Sequence, residues 1–123
     1  SIRIGNNVNI QDGSVLHTLY QKSVIEIGDN VSIGHNVTIH GAKIEKLALI
    51  GMGAVVLDHA VIGEGAIIAA GSVVLSGTKV EPYSVYAGVP AKFVKFADAE
   101  QTNTINKRIS DNYRFYASWY EEE

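Results

Sequence analysis

Four histidines, at positions 17, 35, 40 and 59, are the side chains of this 123-residue sequence best suited to proton or metal chemistry near neutral pH. There is no cysteine, so disulfides and thiolate metal sites are excluded, and any transition metal must be held by His, Asp or Glu. Two of the histidines, His35 and His40, lie five apart in "SIGHNVTIHG", among valine, isoleucine, asparagine and glycine. A pair of imidazoles in such a stretch has two readings, ordinary hydrogen-bonded residues of a β-domain or ligands of one ion. Which applies depends on the elements that carry them.

Those elements follow from an internal period of six. Stepping by six from the aliphatic residue that opens each unit gives Ile4, Ile10 and Leu16, a gap of eleven, then Ile27, Ile33 and Ile39. After one step of five the series runs Ile44, Ile50, Val56, Ile62, Ile68, Val74, Val80 and Tyr86. Thirteen of these fourteen positions are Ile, Leu or Val, which decides for a repeat over chance. Four places further on, residues such as Ser14, Val37, Ala48, Ala54 and Ser72 are small or β-branched and fit a tight corner. Six residues are too few for a helix pair but fit one short strand and a turn, and three such units make one coil of a β-solenoid. Successive coils sit about 4.8 Å apart, the spacing of hydrogen-bonded strands. The glycines and the period both argue against helix in "IGMGAVVLDHAVIGEGAIIAAGSVVL".

The repeat ends near residue 97. From about Asp98 to Glu121, Ile105, Ile109, Tyr116 and Tyr120 recur at spacings of four and seven, with Tyr113 and Trp119 alongside, the stripe of an amphipathic helix. The expected organisation is an all-β solenoid over 1–97 and a C-terminal α-helix over 98–123, packed on the solenoid or on a neighbouring subunit.

On this frame the histidines sort themselves. His17 and His40 each follow a register aliphatic, Leu16 and Ile39, so strand alternation turns both outward. If the gap after Leu16 is one ordinary step plus a five-residue loop around "LYQKS", Leu16 and Ile39 are one coil apart and the two imidazoles stack, within reach of one ion. His35 lies one step earlier in the coil, near the corner of an adjacent face, and does not complete the same site within one chain. Two protein ligands hold a metal poorly, and catalytic zinc normally takes three plus a water. The geometry therefore points to a site closed by a second chain, with structural histidines as the alternative. His59, in "LDHAVIG", has no partner at a useful spacing and reads as structural.

The stretches "NVNIQDGSVLHT", "IGDNVSIGHNVTIHG", "LIGMGAVVLDHAVIGEGAIIAAGSVV" and "VYAGVPAK" together resemble the gamma-class carbonic anhydrases and their bacterial homologues over essentially the whole chain. The hexapeptide repeat and "GVPAK" are shared with acyltransferases; the three histidines with "NIQDGS" ahead of the first are the specific part. The resemblance implies a left-handed parallel β-helix, a hand that strand physics alone would not supply. It implies a homotrimer with a catalytic metal at its interfaces, held by His17, His35 and His40. It implies reversible hydration of carbon dioxide to bicarbonate by a zinc-bound hydroxide, with Fe2+ or Co2+ as other metals such nitrogen ligands accept. Gln11 matches the family glutamine that hydrogen-bonds that hydroxide. Tyr86 matches an active-site tyrosine, or else plugs the end of the solenoid. Asp12 matches an aspartate of the trimer interface.

Two departures from the family pattern stand out. The archetypal enzymes carry a proton-shuttling glutamate on a loop just after the first histidine, and "TLYQKSVI" has no carboxylate before Glu26. The family also has further coils before "SIRIG", with an arginine that ties subunits together, and the sequence reads as a chain that lacks them. The rival functions are a coenzyme A-dependent acyltransferase or thioesterase, with a histidine as general base, and a non-catalytic scaffold subunit that keeps the metal as an interface clamp. A formal charge of −3, from 10 basic and 13 acidic residues evenly spread, names no nucleic acid or anionic membrane as partner. No apolar run approaches the roughly 20 residues that span a bilayer and no signal peptide is evident, so the expected location is the cytoplasm.

Overall fold

The computed structural model describes residues 1–18 and 23–97. Strands of two to five residues follow one another with a corner between each pair. The first coil is β1 (Ile2–Ile4), β2 (Asn9–Ile10) and β3 (Val15–Leu16), and the second is β4 (Ile25–Ile27), β5 (Ser32–Ile33) and β6 (Thr38–Ile39). The third is β7 (Lys43–Ile44), β8 (Leu49–Ile50) and β9 (Val55–Val56), and the fourth β10 (Val61–Ile62), β11 (Ile67–Ile68) and β12 (Val73–Val74). Then come β13 (Lys79–Val80), β14 (Ser84–Ala87) and β15 (Lys92–Phe96). Every third strand pairs in parallel, giving three flat faces in the orders β1-β4-β7-β10-β13, β2-β5-β8-β11-β14-β15 and β3-β6-β9-β12. This is the parallel β-helix expected of the repeat, with the left hand that the family resemblance implies.

The pairing register is the one that the period predicts. Ile10, Ile33, Ile50, Ile68 and Tyr86 stack along the second face, and Leu16, Ile39, Val56 and Val74 along the third. Their side chains fill the triangular interior: Ile33, Ile39, Ile50, Val56, Ile62 and Ile68 are all fully buried, as are the corner residues Ala48, Ala54, Ala60 and Ala66. Each such isoleucine stabilises the coil by about 1.5–3 kcal/mol through burial alone.

The corners follow a rule that the aliphatic pattern does not reveal. The residue three places after each register position takes a left-handed backbone wherever the step is six: Asn7, Gly13, Asn30, Asn36, Leu47, Gly53, His59, Gly65, Gly71, Gly77 and Tyr83 all have φ between 53° and 76°. Asparagine and glycine adopt this conformation at little cost, whereas Leu47, Tyr83 and His59 adopt it because ladders on both sides fix the chain. His59 is thereby accounted for as an exposed corner residue.

The far end is closed by something the repeat did not predict. β15 turns back antiparallel on β14, and Phe93 sets its ring edge-on to both Tyr86 and Phe96. No helix among the described residues is long and apolar enough to cross a membrane. The helix expected over 98–123 lies outside the described residues, as does most of the loop around "LYQKS".

A candidate metal half-site on the third face

Coil arithmetic puts two histidines on one rung pair. Leu16 and Ile39 are direct ladder partners in β3 and β6, so the residues that follow them emerge side by side from the same face. The backbone N–H of His17 donates to the carbonyl of Ile39 at 2.7 Å, and that of His40 to the carbonyl of Val56 at 2.9 Å. The two imidazoles meet edge to face with ring centroids 5.4 Å apart. His17 is exposed and His40 half-buried, so the pair opens to the surface of the coil.

His35 is not brought to this pair. It follows Gly34 at the end of β5, at the corner between the second and third faces, half-buried, with its carbonyl accepting the N–H of Gly53 at 2.8 Å. Among the described residues no three His, Cys, Asp or Glu side chains gather as a metal cluster. One chain thus offers two converging nitrogen ligands on one face and a third ligand candidate on another. Imidazole nitrogens suit zinc by type, but the described residues of one chain bring only two of them together, short of the three protein ligands of a stable site.

Gln11 is buried, 5% exposed, at the end of β2, where its N–H donates to the carbonyl of Ile33. Its side-chain Nε2 donates to Asn9 Oδ1 at 2.6 Å. Asn9 and Gln11 flank the inward Ile10, so alternation sends both to the outer surface of the second face, the face that ends in His35. The Asn9 bond restrains the amide of Gln11 and leaves Oε1 as an acceptor and the second Nε2 hydrogen as a donor. Asn9 was missed in the sequence, although its two-residue offset from Gln11 is the available signal. Between these groups and His35, Ser14 braces the corner: its Oγ donates to the carbonyl of Gly34 at 2.7 Å and accepts the N–H of Val37 at 3.2 Å.

Tyr86 lies farther along the coil. It sits in register above Ile68 in β14, three strands up the second face from Ile33, which at about 4.8 Å per strand is roughly 14 Å from the level of the histidines. Its ring packs against the core and Phe93, the surroundings of an end-plug within its own chain. Asp12 is exposed in the next corner, and its carbonyl accepts the N–H of Asn36 at 3.1 Å.

Comparison with known proteins agrees with the architecture. Residues 41–76 match the family model described as bacterial transferase hexapeptide (six repeats). The chain is 43% identical over 116 residues to a carbonic anhydrase of Geobacillus kaustophilus, covering 92% of this chain and 63% of that protein. It is 42% identical over 106 residues to the mitochondrial gamma carbonic anhydrase 2 of Arabidopsis thaliana, covering 81% of this chain and 38% of the relative. A crystal structure of a hexapeptide transferase family protein from Anaplasma phagocytophilum superposes with a TM-score of 0.83 at 35% identity, covering 97% of this chain and 69% of that one. The chain therefore spans only part of the longer relatives named carbonic anhydrase. With the coil, the register and the repeat all shared, it belongs to the hexapeptide-repeat family, and its similarity to proteins named gamma-class carbonic anhydrase extends over most of its length.

Proposed function

We propose that the chain forms part of a zinc-dependent carbonic anhydrase whose site is shared between subunits of a homotrimer, His17 and His40 coming from one chain and His35 from its neighbour. The observation that carries this reading is the stacked, outward pair of imidazoles with no third ligand in reach of it among the described residues. Held by His17, His40 and the neighbouring chain's His35, zinc would supply a Lewis acid that activates water toward carbon dioxide near neutral pH.

The remaining roles belong to the chain. His17 and His40 would each hold the metal through one ring nitrogen. Gln11, its amide held by Asn9, would hydrogen-bond the nucleophile and so orient it, through Oε1 as acceptor or the second Nε2 hydrogen as donor. No carboxylate lies between His17 and Glu26, so proton release passes to solvent or buffer. Metal content of purified protein, measured together with carbon dioxide hydration, tests the reading: stoichiometric zinc with activity is expected, and zinc-loaded protein without hydration above buffer overturns it.

A coenzyme A-dependent transferase is the second reading, supported by the family model's description and by the solved hexapeptide transferase relative. It requires one histidine as general base and no stoichiometric metal. Acetyl-coenzyme A binding by metal-free protein would select it.

A further inference from the structure

We infer that Asp58, which touches neither imidazole in the contacts described, is a positioning residue for His40; this rests on the metal reading of the histidines. The corner after His40 is the one place where the step shortens to five residues, from Ile39 to Ile44. It therefore lacks the left-handed residue that turns the six-residue corners. Gly41 makes this corner, sandwiched between neighbouring coils: a Cβ there would lie 2.2 Å from Ser23 Cβ and 3.1 Å from Asp58 Oδ1. In place of the usual turn, Asp58 Oδ1 accepts the N–H of Gly41 at 2.8 Å.

That bond fixes the plane of the His40–Gly41 peptide, because a peptide unit is rigid. The preceding peptide is already held by the His40 N–H on the Val56 carbonyl. With both flanking peptides pinned, the direction of the His40 Cα–Cβ bond is set, and the imidazole is aimed before any ion arrives. Without Asp58 the short corner keeps its length but loses the bond that orients the residue before it.

The same device occurs elsewhere and supplies a control. Asp29, two places after its register isoleucine as Asp58 is after Val56, accepts the N–H of Asn6 from the coil below at 2.7 Å. No histidine adjoins Asn6. The test is zinc affinity of the metal-free protein, by competition with a chromophoric chelator, alongside apo-protein melting temperature. Asp58→Ala is expected to bind zinc about 10- to 100-fold more weakly. Asp58→Asn, which keeps an oxygen acceptor for Gly41, should stay within about threefold of wild type, since the hydrogen bond and not the charge carries the effect. Asp29→Ala should bind zinc as wild type does. Should Asp58→Ala not fold, Asp58→Glu carries its carboxylate one methylene further and should also bind weakly. Wild-type affinity in Asp58→Ala or Asp58→Glu overturns the inference, as does an equal loss in Asp29→Ala, which would mark a general stability effect. Failure of wild-type protein to bind zinc at all would instead refute the metal reading, and this inference with it.

Discussion

If each site takes His17 and His40 from one subunit and His35 from the next, two dead variants should repair each other. His35→Ala chains keep the stacked pair and His40→Ala chains keep His35, yet either alone lacks one ligand in every site. Co-refolding at equal concentration gives rings in which each interface draws its two chains at random. A site is complete only when the chain offering the pair is His35→Ala and the chain offering the third ligand is His40→Ala. In a closed ring of heterologous interfaces the chance is one half times one half, so about a quarter of wild-type zinc and activity should return. The fraction does not depend on ring size, provided each site is shared by two neighbours. Zinc per chain and carbon dioxide hydration of the mixture, after removal of free metal, report it directly. Were all three ligands within one chain, no mixture could rebuild a site. Persistent inactivity despite subunit exchange, shown with tagged chains, would refute the shared arrangement.

Chelation should loosen the oligomer as well as abolish activity, because binding free energy at an interface is assembly free energy; light scattering that finds the same dissociation constant before and after metal removal would mean that the histidines do not bridge chains. Ile68→Asp places a carboxylate in a fully buried register position and should destabilise by on the order of 4 kcal/mol, so an unchanged melting temperature would reject the inward register. Ser32 is fully buried and its Oγ has no hydrogen-bond partner among the described residues, so Ser32→Ala should raise stability by about 1–3 kcal/mol, and a loss on denaturant titration would reveal a partner. The hydroxyl of Tyr83 is held above the ordinary phenol range, chiefly by its hydrogen bond to Glu64 and then by burial and the nearby charge of Glu64. A raised folded pKa means stability present below about pH 10 and lost as pH climbs through the folded value. Tyr83→Phe should remove that part of the alkaline loss in pH-dependent melting.

Much of this was legible because a solenoid writes its contacts into its period. Leu16 and Ile39 could be paired from spacing alone, since an insertion that loops out leaves the ladder register intact, and the outward stacking of His17 and His40 followed by alternation. What escaped was local hydrogen-bond geometry. The Asn9–Gln11 bond depends on rotamers that a spacing does not encode, and the left-handed corner position, mostly glycine or asparagine, is also held by Leu47, His59 and Tyr83, which give no sequence signal of it. Tyr86 satisfies the aliphatic register and also matches an active-site position, and spacing within one chain does not separate the two. The β14–β15 hairpin was unpredicted because a six-residue register marks parallel coils and not a strand that turns back antiparallel.

The breaks in the repeat say most about where function lies. From His17 to His40 is 23 residues, five more than the regular 18, and from His40 to Leu57, its next neighbour up the face, is 17, one fewer. The insertion therefore follows one histidine of the pair and the deletion follows the other, while the other corners described keep the step of six. A repeat that serves stability alone gains nothing from either irregularity: five extra residues add chain entropy, and the short corner forfeits the left-handed turn and has Gly41 and Asp58 in its place. Local departures from an otherwise consistent pattern collect where a structure is committed to something besides folding. Restoring the regular period there, by deleting the five extra residues after His17 or inserting one after Gly41, should therefore raise thermal stability while weakening zinc binding. Stability and zinc affinity that rise together would show that the breaks serve the coil and not the site.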